Sequence, residues 1–327
     1  MIEFSMITDA AHSLKGQIRS TPLLSSPTLD SRLGFKLLVK PEMLQYGGAF
    51  KFRGASYKLH RLGSAARRGI VAFSSGNHAQ AVALLARERG IQAHIVMPAD
   101  APAIKLHNTR ILGADVITYD RVSESREAIA EAICRTKNLE IIPPFDDPEI
   151  IAGQGTVGLE IALECKAMGV VPQAITVPVS GGGLAAGVCI GVHQFFPKAE
   201  ILAVEPAGHD DLAHSLARGK LCKTPTQPQK ASICDALLAP QPGRHPFKIL
   251  QHHLAGALAL DDADVLQAMR VIMQEFRLIA EPGGALALAA ILEGALAFKP
   301  QTSHSVAIAI LSGGNADPKL IAQSCMP

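Results

Sequence analysis

The chain has 327 residues, 48% apolar and 18% charged, a balance that suits an ordinary globular protein with room for two lobes. A net charge of +2, no Arg/Lys cluster, no Trp and only three Tyr leave neither a basic footprint nor a stacking platform for nucleic acid. No apolar run approaches the ~18 residues of a membrane span. Met1-Ile2-Glu3-Phe4 lacks a basic stretch leading into an apolar core, so a cytoplasmic location is expected.

Taken in chain order, Lys36-Leu37-Leu38-Val39-Lys40 reads as a strand. Gly47-Gly48-Ala49-Phe50-Lys51-Phe52-Arg53-Gly54-Ala55 then sets a lysine after a double glycine, at the mouth of a helix predicted over about 51–63. From Gly69 to Pro144, apolar runs at 70–73, 93–97, 115–118 and 140–143 alternate with helical stretches at 77–89, 103–112 and 123–137. That is the pattern of a four-stranded parallel βαβ unit. After Pro143-Pro144-Phe145-Asp146-Asp147-Pro148 a second series begins, with strands near 174–179, 200–204, 256–259 and 305–311. Segment 36–40 lies too far from the first series to extend it simply and is assigned to the second sheet. The expected fold class is α/β, two lobes, each a mostly parallel open sheet with helices on both faces. Residues 53–144 would form a small lobe inserted in a large one of 1–52 and 145–327. Thr224 to His245, rich in proline, reads as a long functional loop. The six cysteines form no CxxC pair and read as free thiols of a reducing compartment.

Three more segments stand where a strand gives way: Ser74-Ser75-Gly76-Asn77-His78, Ser180-Gly181-Gly182-Gly183-Leu184 and Ser312-Gly313-Gly314-Asn315. Ligands of open α/β sheets gather at the carboxyl ends of strands. Taken singly, each has a plain alternative. Lys51 alone would be a solvated helical amine, and Gly181-Gly182-Gly183-Leu184-Ala185-Ala186 also fits a relaxed dinucleotide fingerprint with Glu205 after the next strand. Together the four segments resemble the fold-type II pyridoxal-phosphate enzymes, tryptophan synthase β-like in architecture, and specifically the serine/threonine dehydratase and serine racemase group. The resemblance runs over nearly the whole chain.

It implies pyridoxal 5'-phosphate bonded through its aldehyde to Lys51. Phe50 would pack on the ring, Asn77 donate to the ring hydroxyl, Ser312 pair with the ring nitrogen and Glu281 lie near the ring. Ser180, Gly181, Gly182, Gly183 and Leu184 would form the phosphate loop, where converging N–H groups and a helix N-terminus favour an anion. A hydroxyl partner leaves the ring a weaker electron sink than a carboxylate would, which suits loss of a β-substituent and disfavours transamination. Ser74, Ser75, Gly76, Asn77 and His78 would bind the substrate carboxylate at a helix start. Arg126 matches an arginine that racemases and hydroxyaspartate dehydratases place near the substrate side chain; an exposed helical arginine is its alternative. In racemases the serine matching Ser75 faces the lysine as a second acid/base, whereas a helix cap is the ordinary role for such a residue. Glu205 and Asp211, with the carbonyl of His209, match a site for Mg2+, Mn2+ or Ca2+. Acidic residues at a helix start explain the same pattern, and Glu281 ahead of Pro282 has that alternative too. Two positions depart from the family pattern: Ala49 where most members have serine, and Ser180 where some have a fourth glycine.

The expected activity is a dehydratase (ammonia-lyase) converting an L-β-hydroxy amino acid, serine or threonine first, to a 2-oxo acid and ammonia. Amino-acid racemisation, or dehydration of 3-hydroxyaspartate or another substituted serine, are the alternatives. A dinucleotide-dependent oxidoreductase would leave Lys51 and Ser312 without roles. The resemblance also implies a homodimer acting on a small amino acid, with no nucleic-acid or membrane partner. No regulatory domain follows Pro327, unlike in biosynthetic threonine dehydratases, which points to a catabolic or racemase-type member.

Overall fold

Short apolar runs, each handing over to a turn and a helix, sort the chain into two sheets. The structure is a computed structural model that describes residues 2–74, 76–224, 232–295 and 298–326. Its strands are β1 (Leu24–Ser25), β2 (Leu37–Pro41), β3 (Ile70–Phe73), β4 (Ala93–Pro98), β5 (Asp115–Tyr119), β6 (Glu140–Ile141), β7 (Val171–Pro178), β8 (Glu200–Pro206), β9 (Gly256–Leu260) and β10 (Ser305–Leu311). The smaller sheet, in the order β5-β4-β3-β6, is parallel throughout. The larger has the order β1-β2-β10-β7-β8-β9, and within it only β1 runs antiparallel.

As expected, segment 36–40 joins the larger sheet, with Leu38 beside Ile308. β10 is buried along its whole length. Val306, Ile308 and Ile310 enter one core while Ala307, Ala309 and Leu311 enter another, as the two-residue period of a strand covered on both faces requires. One of those cores holds the helices Pro148–Met168 and Gly183–His193. These two helices almost touch: a Cβ on Gly187 would sit 2.6 Å from Gly155 Cα, so neither glycine can carry a side chain.

Details depart from expectation for local reasons. The helix expected at 123 begins at Arg126, because Ser125 caps it by accepting from Ala128 N at 3.2 Å. The strand expected through 143 ends at Ile141, since Pro143 and Pro144 have no N–H to offer a ladder. β1 was not foreseen. In the long proline-rich loop, residues 225–231 lie outside the described residues; beyond them come a 3-10 turn, Asp235–Leu237, and the helix Arg244–His253. The six cysteines are free thiols. Among the described residues no helix is long and apolar enough to cross a membrane.

A buried ionic cluster fixes the helix Lys51–Leu62 near its start. Arg53 donates to Glu42 at 2.7 Å and to Glu160 at 2.6 Å, and Lys40 pairs with Glu160 at 2.9 Å and Glu164 at 2.7 Å. Such a cluster holds its geometry because losing any partner would strand a buried charge.

Candidate active site

The four strand-end segments converge on one cavity, which Phe50, Lys51, Ser74, Gly76, Asn77, His78, Ser180, Gly181, Gly182, Gly183, Leu184 and Ser312 all line. Main-chain stitching brings them together. Gly47 and Gly48 both adopt φ near +70°, a turn that glycine allows freely. Phe50 N then donates to Ser312 O at 3.1 Å and Gly314 N to Gly48 O at 2.9 Å. Ala49, buried, forms a bridge with Gly313 through its backbone.

Lys51 Nζ donates to Pro144 O at 2.7 Å and lies 4.9 Å from the centre of the Phe50 ring. Burial first, and the Arg126 charge second, bring this amine down to about 7. A lysine so placed is substantially neutral at neutral pH and is a nucleophile toward a carbonyl.

Across the cavity, Gly182 takes the left-handed conformation and Gly183 opens the apolar helix. A Cβ on Gly181 would sit within the Phe145 ring, and one on Gly183 would meet Gln154 Oε1 at 2.6 Å. The loop therefore presents bare backbone to the cavity beside a helix N-terminus, which is an anion cradle. Ser180 Oγ accepts from Ala239 N at 3.1 Å, so its hydroxyl ties the cradle to the segment after Asp235.

Asn77 begins the helix Asn77–Arg89, donating from Nδ2 to Glu281 Oε1 while its Oδ1 accepts from Asn315 at 2.8 Å. Glu281, fully buried, thus reaches the cavity through Asn77, and burial raises its carboxyl above the usual range. Ser74 Oγ accepts from Gly76 N at 3.2 Å rather than capping the helix. Ser75 lies outside the described residues. His78 Nε2 bonds Ile142 O at 2.8 Å; burial, then the Lys51 charge, push it down to about 3, so it stays neutral. Ser312 Oγ points toward Gly283 O at 3.4 Å. Arg126 shares a neighbouring part of the cavity with Lys51, Ser74 and Tyr119. Its guanidinium lies 5.4 Å over the Phe73 ring, and its Nε is held by Glu127 at 2.8 Å.

Glu205, His209 and Asp211 stand apart from this cavity at the end of β8. Both oxygens of Glu205 accept backbone N–H groups, from Leu212 at 2.8 Å and Ala213 at 2.9 Å. Asp211 Oδ2 is buried without a hydrogen-bond partner. Burial pushes Glu205 up to about 8 and Asp211 up to about 7. Among the described residues no group of three or more His, Cys, Asp or Glu side chains is arranged to hold a metal, so a cation here would rest on two carboxylates, a carbonyl and water.

The segment that leaves the smaller sheet after β6 is what sequence reasoning missed. Ile142 and Pro144 offer carbonyls to His78 and Lys51, Phe145 covers Gly181, and Asp146 accepts from Arg244 N at 3.0 Å and His245 N at 2.8 Å. The signal was available, because this segment too follows the carboxyl end of a strand.

A nucleophilic amine, a backbone anion cradle, and the Asn77 amide and Ser312 hydroxyl in the same cavity fit an aldehyde cofactor carrying a phosphate. A family model described as "Pyridoxal-phosphate dependent enzyme" matches residues 14–313. The chain belongs to that family. Among pyridoxal-phosphate dependent enzymes it is 38% identical to an L-threo-3-hydroxyaspartate ammonia-lyase of Pseudomonas sp, over 95% of this chain and 94% of the relative. It is 37% identical to a serine racemase of Arabidopsis thaliana, over 95% and 92%. The solved threonine deaminase of T.th. superposes with a TM-score of 0.88 at 38% identity, covering 96% of this chain and 99% of that one. All three relatives are fold-type II pyridoxal-phosphate enzymes, and membership sets aside the dinucleotide reading of the triple glycine.

Proposed function

We propose that this enzyme is a pyridoxal-phosphate dependent ammonia-lyase whose preferred β-hydroxy amino acid is L-threo-3-hydroxyaspartate. The observation that carries the reading is Arg126, which lines the cavity beside Lys51 closely enough for its charge to lower that amine. The side chains of serine and threonine carry no anion for a guanidinium to pair with, whereas the β-carboxylate of 3-hydroxyaspartate is one. With Nε taken by Glu127, the two Nη groups form the fork that suits a carboxylate. The likeness to L-threo-3-hydroxyaspartate ammonia-lyases, at 38% and 36% identity, is in keeping with that choice, but likeness of the same degree to a serine racemase (37%) and a threonine deaminase (38%) leaves Arg126 to carry it.

In this reading Lys51 would hold the cofactor through its aldehyde, and the Lys51 amine, when free, would take the Cα proton. The N–H groups of Gly181 to Leu184 would hold the phosphate, and Phe50, Asn77 and Ser312 would orient the ring, with Glu281 supporting Asn77. Gly76, Asn77 and His78 offer N–H groups, and Ser74 its hydroxyl, to the α-carboxylate. Pyridoxal phosphate, when bound, supplies the sink for the electron pair left on Cα. The Cα–H and Cβ–O bonds break, water leaves, and the released enamine hydrolyses to oxaloacetate and ammonia. Glu205, Asp211 and the His209 carbonyl bind a divalent cation outside the chemistry. Residues 53–144 act as one lobe against 1–52 and 145–327, and the enzyme is a cytoplasmic homodimer.

The test compares kcat/KM for L-threo-3-hydroxyaspartate, L-serine and L-threonine in the parent, Arg126→Ala and Arg126→Lys. The parent should prefer hydroxyaspartate, and Arg126→Ala should lower that substrate alone by about 10–100-fold, the worth of a charged hydrogen-bond pair. A parent that prefers serine or threonine, or a loss shared equally by all three, would overturn the assignment.

A further inference from the structure

We propose that Lys105 is a clasp between the lobes that sets the gape of the substrate cavity, acting as a positioning residue. It sits on the helix Ala103–Ile111, after β4 of the smaller sheet, and only 4% of it is exposed. Its Nζ lies 2.6 Å from Asp235 Oδ2 and 3.6 Å from Glu281 Oε2. Both carboxylates belong to the part of the chain built around the larger sheet. Asp235 opens the 3-10 turn and Glu281 is the N-cap residue of the helix Pro282–Leu292. The lysine arm reaches them by passing under Gly76, where a Cβ would sit 3.2 Å from Lys105 Cδ and 3.3 Å from Nζ.

One ammonium therefore touches three parts of the site. Above it lies Gly76. In front is the strip that begins at Asp235, whose residues Ala236, Leu238 and Ala239 face Ser74 and Arg126 across the cavity. Behind it is Glu281, which holds Asn77. Lys105 does not itself line the cavity, and two carboxylates already answer its charge, so it is not a second anchor for the substrate carboxylate.

The charge arrangement makes the clasp consequential. Glu281 Oε2 has no hydrogen-bond partner, and the Lys105 ammonium is the cation beside it. The Asp235 charge also acts on Glu281, in the direction that discourages ionisation. Without Lys105, the buried Glu281 carboxylate and the half-buried Asp235 carboxylate would lose their shared counter-charge. Either Glu281 takes a proton or the Asp235 strip moves away. The second response opens the wall opposite Ser74 and Gly76 and weakens substrate binding more than it slows chemistry. This holds for whichever β-hydroxy amino acid the enzyme prefers.

The test uses the holoenzyme as Lys105→Met, Lys105→Arg and Asp235→Asn, each assayed on the parent's best substrate and by amide hydrogen exchange. Lys105→Met should raise KM by about tenfold or more while kcat falls less than about threefold. Exchange over residues 235–239 should quicken. Lys105→Arg should recover most of both, because a guanidinium can span the same two carboxylates. Asp235→Asn, which leaves the Lys105–Glu281 pair in place, should reproduce the KM and exchange changes, and it decides the matter if Lys105→Met does not fold. Unchanged exchange at 235–239 in Asp235→Asn, or a fall in kcat with KM unmoved, would overturn the clasp. Because exchange is read without turnover, its outcome is independent of the substrate assignment.

Discussion

The Phe145 ring fills the space that a side chain at Gly181 would need, with its Cγ nearest to where a Cβ would lie. The cradle and the crossover between the two sheets are thus shaped against each other. Gly181→Ala should push Phe145 or the loop aside and weaken cofactor retention by about 10–100-fold, as overpacking of 1–3 kcal/mol implies. Titrating apoprotein with pyridoxal phosphate by absorbance measures it, and Gly181→Ala with Phe145→Ala should recover part of the loss. Equal affinity in Gly181→Ala and parent would mean that the anion sits elsewhere.

The lowered Lys51 amine makes cofactor capture by apoprotein depend on pH. The capture rate should climb about tenfold per unit below pH 7 and level off above it, where the amine is already neutral. Stopped-flow absorbance gives the profile, and a rate still rising at pH 9 would place Lys51 in open solvent. Stability follows the same group. Its folded value, about 7, lies below the ordinary 10.5, so the unfolded chain binds more protons between them. Apoprotein should therefore gain stability as pH rises across that window. His78 acts likewise from about 3 to 6.5, and its contribution is lost as the medium turns acid.

Magnesium, manganese or calcium should raise the melting temperature, since a ligand at one hundred times its Kd adds about 2.7 kcal/mol to a fold that alone binds it. Glu205→Gln together with Asp211→Asn should abolish the increment in differential scanning calorimetry. An increment that survives the double substitution assigns the cation to another place.

Racemisation needs a proton donor on the face opposite Lys51, and Ser75 is the residue nominated for it. Ser75→Ala should remove any L-to-D interconversion of serine, a loss of about 10²–10⁴-fold, while sparing much of the L-lyase activity. Chiral chromatography of the reaction mixture reads both at once. Interconversion at the parent rate would leave Ser75 a cap or a carboxylate contact.

What was legible in the sequence was whatever carried its signal in adjacent residues. The triple glycine and the lysine after a double glycine announce themselves because backbone exposure needs consecutive small residues. The alternation of β3 to β6 with helices shows because its inner strands, β3 and β4, are buried along their whole length and read as continuous apolar runs. What was not legible depends on residues far apart. Lys105 and Asp235 are ordinary charges until the fold sets them 2.6 Å apart. β1 has two residues, too few for any period to show. Glu281, 204 positions from Asn77, meets the cavity only through the amide that donates to it, a contact no local pattern announces.

The acceptors that the crossover gives Lys51 and His78, the oxygens of Pro144 and Ile142, belong to the main chain. No codon change can delete a peptide carbonyl. The two groups whose protonation matters most here are thus anchored to atoms that mutation can displace but never remove. Drift at positions 142 and 144 can therefore shift the acceptors of His78 and of the Lys51 amine only gradually, while the side-chain partners around the cavity remain open to abrupt loss.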